Sequence, residues 1–236
     1  MWLWHQERWP ERPGADDGVQ PGDPPGSWRG DGGRFLSPER NAEADGQISA
    51  MRGHEKSITE TLKRIEQDNT YGGSLVGLEH RLKGEQRIKE KIHDNILEQA
   101  GATVADAAGS VWDAVRFTFE FDQDVYVRGH DDITTRLESA GYRLVQRANN
   151  WSANPEYKGI NTRWLTHDGG KFELQFHTPE SLDAKQNRTH EVYDRLRSPT
   201  VSAVEARDLR AYQIYVSAAI PWPPGAEAVP DHRERI

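Results

Sequence analysis

Residues 172 to 177 read Phe-Glu-Leu-Gln-Phe-His, so Phe172, Leu174 and Phe176 alternate with Glu173, Gln175 and His177. Successive side chains of a strand point to opposite faces, which puts three apolar groups against a core and a carboxylate, an amide and an imidazole in one row on the other side. A helix cannot sort these residues that way. The run His167-Asp168-Gly169-Gly170 just before it supplies a hairpin turn, so a partner strand is expected at about 161–166 and the sided strand at about 171–176. Val115, Phe117, Phe119 and Phe121 repeat the alternation, and Tyr142–Gln146 reads as a further strand.

Helical spacing fills the intervals. Ile48, Met51, Ile58, Leu62 and Ile65 form one apolar stripe, stopped at Asn69 and Gly72–Gly73. Further helices are expected at about 85–99, 129–140, 179–197 and 201–218, the third opening on Pro179 at a favoured first helical position. Strands interleaved with helices and including a hairpin predict an α+β fold, a mixed sheet of about five strands flanked by helices. Residues 1–43 hold repeated Pro, Gly and Asp with isolated tryptophans and no period, which predicts a disordered leader or linker. The folded domain is expected at 44–220, and the Pro-rich residues 221–236 as a flexible tail.

Composition narrows the function. A formal charge of −8 argues against indiscriminate polyanion binding, and the absence of cysteine removes disulfides, thiolate metal sites and a cysteine nucleophile. No stretch approaches about 18 apolar residues and the N-terminus lacks a secretory pattern, so a soluble, cytoplasmic chain with no membrane partner is expected.

Three groups of residues could carry chemistry. Arg81, Lys83, Arg87, Lys89 and Lys91 place five cations in eleven residues of an acidic chain, which suits either a solvated helix face or a cradle for a triphosphate. Asp113 and Arg116 enter an apolar strand, where an acid more often caps a turn and an arginine often pairs with a carboxylate. Tyr157-Lys158-Gly159-Ile160-Asn161 precedes the sided strand with Glu173, Gln175 and His177. A polar loop leads into Tyr157, which is expected to be an exposed aromatic ring suited to stacking on a base.

The order of these motifs resembles the RelA/SpoT alarmone synthetase family: Arg81-x-Lys83 with Lys91 further on, an Asp–Arg strand, Tyr-x-Gly-x-Asn, Glu-x-Gln-x-x-Thr, and His190 before Tyr193. The resemblance spans about residues 75–197, and its wording is nearer to the stand-alone and toxin-associated branches than to the long bifunctional enzymes. It implies a nucleotidyltransferase-like fold and a magnesium-dependent pyrophosphokinase that moves pyrophosphate from ATP to the 3′-hydroxyl of a guanosine or adenosine nucleotide. It further implies ATP binding by Arg81, Lys83, Lys91 and Arg116, and catalysis and Mg2+ binding by Asp113 and Glu173. Acceptor binding would fall to Tyr157, Lys158, Asn161, Gln175, His177 and His190. A tRNA 3′ end is an alternative acceptor, a non-catalytic nucleotide-binding module an alternative role, and for a toxin an immunity or antitoxin protein is the implied partner, with delivery to a target-cell cytoplasm. Two departures stand out. Arg87 occupies a position where many members have serine, and Asp113 precedes Arg116 by three residues where the family's aspartate often precedes by five.

Overall fold

A computed structural model describes residues 22–198 and 200–234. The first elements are β1 (Trp28–Arg29), β2 (Phe35–Leu36), α1 (Pro38–Gly53), α2 (Glu55–Asp68), β3 (Ser74–Val76), α3 (Glu85–Glu98) and α4 (Val104–Gly109). They are followed by β4 (Arg116–Glu120), α5 (Tyr126–Ser139), β5 (Arg143–Asn149), α6 (Asn150–Ala153), β6 (Ile160–Leu165) and β7 (Lys171–His177). The last are α7 (Pro179–Asp183), α8 (His190–Leu196), α9 (Ala203–Ala218) and β8 (His232–Arg233).

The chain divides into two units, and the smaller takes its described residues from 22–48 and 85–111. There β1 and β2 form a short antiparallel hairpin, and Trp28 and Leu36 are buried. The Trp28 indole donates to Gln86 Oε1, and the Arg34 guanidinium grips both Asp94 oxygens at 2.8 Å. Residues 22–43 therefore depart from the expected leader. Strands of two residues leave no alternation to read, and the tryptophan that looked isolated is a core side chain. Residues 1–21 lie outside the described residues.

The larger unit, residues 49–84 with 112–234, holds a six-stranded mixed sheet in the order β3-β4-β7-β6-β5-β8. Only β4 and β7 run parallel; the other neighbours are antiparallel. The alternation seen in the sequence sorts as expected: Phe117, Phe119, Phe172, Leu174, Phe176 and Trp164 join Ile58, Leu62 and Ile65 of α2 and Ile133 and Leu137 of α5 in one core. Fully burying each such side chain contributes about 1.5–3 kcal/mol, enough to hold the β4–β7–β6 centre of the sheet in one register.

Two differences in this unit bear on the site. The helix expected at 179–197 is three pieces: α7, a wider π-helical turn at Ala184–Arg188, and α8. The segment after Ile220 is packed rather than free. Ala226 and Val229 belong to the core, Asn149 Nδ2 donates to the carbonyls of Ala226 (2.7 Å) and Val229 (2.8 Å), and β8 pairs with β5. Its proline content hid a function that its backbone carbonyls perform, accepting hydrogen bonds from a buried amide.

Candidate active site

The polar face of the sheet is organised by register. Gln146 of β5, Arg163 of β6, Glu173 of β7 and Arg116 of β4 are successive partners across four strands. The next row holds Asn161, Gln175 and Thr118. Arg163 donates to Gln146 Oε1 at 2.9 Å and lies over the Trp112 ring, 5.8 Å from its centre, with the Lys171 ammonium 5.0 Å from the same ring. Glu173 thus sits between two arginine positions in one row, and the next row is polar.

Gln175 is buried and donates from Nε2 to Glu173 Oε1 at 2.6 Å. Its carbonyl oxygen accepts from the ammonium of Lys185. Lys185 comes from the π-helical turn, which the capped start of α7 aims back over β7: Thr178 Oγ1 accepts from the Ser181 amide at 3.2 Å. Burial and the nearby Arg116 charge push the Lys185 ammonium down to about 7, against an opposing pull from Glu173.

His177 is fully buried, and that burial, with the charges of Lys185 and Arg116, holds its imidazole well below the usual histidine range. Both nitrogens of the neutral ring lie within hydrogen-bond distance of a hydroxyl. Ser181 Oγ accepts from the Thr178 amide (3.0 Å), donates to the Thr178 carbonyl (3.2 Å) and lies 2.8 Å from His177 Nδ1. His177 Nε2 lies 2.9 Å from the Tyr157 hydroxyl, which donates to Asn161 Oδ1 (2.9 Å). Tyr157 is half-buried, with its hydroxyl end enclosed and its deprotonation opposed by burial and by Glu173. Gly159 makes this convergence feasible. Its φ is +151°, and a Cβ there would lie 2.9 Å from His177 Cε1 and 3.1 Å from the Tyr157 hydroxyl.

Two of the four basic residues expected to hold ATP, Arg81 and Lys83, are engaged by carboxylates. Arg81 donates to Glu55 and to the Leu78 carbonyl (2.8 Å), and Lys83 lies 2.9 Å from Asp113. The chain at 81–83 is tied to the entry of β4, since Arg116 N donates to Arg81 O (2.8 Å) and Lys83 N to Ala114 O (3.0 Å). Asp113 thereby stands at the end of the β4–β7 pair where the Glu173 amide donates to Val115 O at 3.0 Å. Lys91 belongs to α3 in the smaller unit.

Two expected acceptor residues are placed differently. The Lys158 ammonium is turned inward to the carbonyls of Trp151 and Asn154, each at 2.8 Å, and lies 5.1 Å from the centre of the Trp222 ring. It anchors the loop that carries Tyr157. His190 opens α8 and faces Asp194 at 3.5 Å, off the strand rows.

Among the described residues no group of three or more His, Asp or Glu side chains could hold a metal ion. Two hard carboxylates at one end of a strand pair do suit magnesium, which is commonly bound by one or two carboxylates plus the phosphates of its substrate. Asp113 and Glu173 fit that donor chemistry, and a resident, protein-caged ion is not what they offer.

No protein family and no curated protein matches the sequence. Solved structures do. The small alarmone synthetase 2 from Bacillus subtilis covers 74% of this chain and 94% of its own at a TM-score of 0.50 and 10% identity. The chain has the RelA/SpoT-like synthetase fold. The small alarmone synthetase 1 from Bacillus subtilis bound to pppGpp (TM-score 0.49, 14% identity, 75% of this chain and 92% of that one) is also similar. So is the Type VI effector Tas1 in complex with its immunity protein (TM-score 0.48, 18% identity, 78% and 100%). At such identities the synthetase fold is what is shared, and the residues on its polar face carry the functional argument.

Proposed function

We propose that the chain is a nucleotide pyrophosphokinase that transfers the β,γ-pyrophosphate of ATP to the 3′-hydroxyl of a guanosine or adenosine nucleotide. The observation that carries this reading is the row Arg163–Glu173–Arg116 with Gln175 beside it: a carboxylate hydrogen-bonded to an amide, with an arginine at the paired position of each neighbouring strand. Such a carboxylate can accept the proton of an attacking hydroxyl, and the flanking cations can bind phosphate oxygens whose charge shifts during transfer.

In this scheme the acceptor base stacks on the Tyr157 ring, which the His177–Asn161 network holds in place. The 3′-oxygen forms a bond to the β-phosphorus, the bond from that phosphorus to the α,β-bridging oxygen breaks, and AMP leaves with that oxygen and the electron pair while Glu173 takes the hydroxyl proton. Arg116 faces the phosphates, and Arg81 and Lys83 exchange their carboxylate partners for phosphate oxygens as ATP binds. Magnesium, held by Asp113 and Glu173, would neutralise phosphate oxygens.

Incubation with labelled ATP and each of GDP, GTP, ADP, ATP and bulk tRNA tests the proposal. Formation of AMP in step with a pyrophosphorylated nucleotide is expected. Label appearing only on tRNA moves the acceptor to a nucleic-acid end, and no transfer to any of the five leaves a nucleotide-binding module.

A further inference from the structure

We infer that Lys185 is a positioning residue for Glu173, acting through Gln175, so that Glu173 Oε1 is occupied and Oε2 is the oxygen left for the acceptor hydroxyl. The inference rests on the proposed pyrophosphate transfer for its kinetic consequence, and on geometry for its structural one. An amide side chain can present either its oxygen or its nitrogen to a neighbour. An ammonium has donors only, so with Lys185 charged the Gln175 oxygen must turn to Lys185 and the Gln175 NH2 to Glu173. Without Lys185 the Gln175 oxygen loses its partner, and the amide is free to swing away from Glu173 Oε1.

The placement of Lys185 is costly without such a task. Its ammonium is enclosed beside a second cation, Arg116, and burial works against its charge. It gets there because the π-helical turn after α7 widens the backbone, bringing position 185 back over a strand residue ten positions earlier. Turns of this kind inside helical segments are often found at functional sites. A lysine serving solubility alone would extend from such a turn into water.

The test compares Lys185→Met, Lys185→Arg, Gln175→Met and the Lys185→Met/Gln175→Met pair with the wild type. Kinetics with ATP and the acceptor identified above are measured beside melting temperature and the 15N–1H signals of the Gln175 side-chain amide. Lys185→Met should lower kcat roughly 10- to 150-fold, the worth of a hydrogen bond to a charged group, with KM for ATP within about twofold. Lys185→Arg keeps a donor and should recover part of the rate. Adding Gln175→Met to Lys185→Met should cost little more, because the two act as one unit. The Gln175 amide signals should shift in Lys185→Met. Additive losses in the double variant, unchanged kcat in Lys185→Met, or undisturbed Gln175 signals would each overturn the inference. If wild-type protein transfers nothing from ATP, the pyrophosphokinase reading fails, and the Gln175 signals still decide the link between Lys185 and the amide.

Discussion

Replacing Tyr157 with phenylalanine keeps the ring and removes a hydroxyl that joins His177 to Asn161. The loss leaves enclosed polar atoms without a partner, at about 1–3 kcal/mol, so Tyr157→Phe should melt lower while acceptor binding changes little. Tyr157→Ala should do both, adding a loss of acceptor affinity of roughly 5- to 150-fold from stacking. Normal acceptor KM in the alanine variant would remove the stacking role and leave Tyr157 a packing residue. Glu173→Gln keeps the side chain's shape and removes the charge that accepts a proton. Turnover should fall by about two to four orders of magnitude, with circular dichroism unchanged. His177 gives a pH signature. Its folded-state pKa is depressed, so above its unfolded value of about 6.5 both states are neutral, and below it the unfolded chain binds the extra proton. Stability is therefore full above about pH 6.5 and falls as the pH is lowered. Buried His130, also pushed down, adds to the same slope. Melting curves from pH 7.5 to 5 should show this decline, and His177→Gln should flatten part of it.

Among the elements, β8 and the turn before it are the most exposed to a wrong boundary. A chain ended at Ile220 loses two core side chains, leaves the Asn149 amide without its carbonyl acceptors and strips β5 of its edge partner. Such a truncation should cost at least about 3 kcal/mol, read as a lower midpoint in urea. The central strands were legible because each is long enough to alternate and has one buried face: β7, β6 and β4 lie within a residue or two of their expected limits. β3 and β8, three and two residues long, and the β1–β2 hairpin carry no period at all. The polar row on β7 was readable for the same reason its core face was. What could not be read is which partner each cation takes. Lys83 and Arg81 meet Asp113 and Glu55, Lys158 meets two backbone carbonyls, and Lys185 reaches Gln175, all set by tertiary placement rather than spacing. The single helix expected at 179–197 hid the π-helical turn, and with it the reason to single out Lys185.

For the molecule as a whole, net charge bears on the acceptor. With a formal charge of −8 the protein has no general attraction for a long polyanion, whose binding would release many counterions. A free nucleotide held by a few local cations should show only a shallow dependence of its KM on salt between 50 and 200 mM, about a fewfold. A steep loss over that range with tRNA as acceptor would point to a wider phosphate-binding surface. The single parallel pairing in the sheet has a consequence in time. The flanking groups Arg116 and Arg163 precede Glu173 in the chain, and β7 is the last long strand to be made, entering between β4 and β6. During vectorial synthesis a nascent chain can form the antiparallel β5–β6 ladder early, but pairings of high sequence separation close late. The carboxylate therefore joins its cations only when the sheet is nearly finished, and a chain stalled or cleaved before β7 carries the cations without the base. The proposed activity would then be tied to completion of the domain.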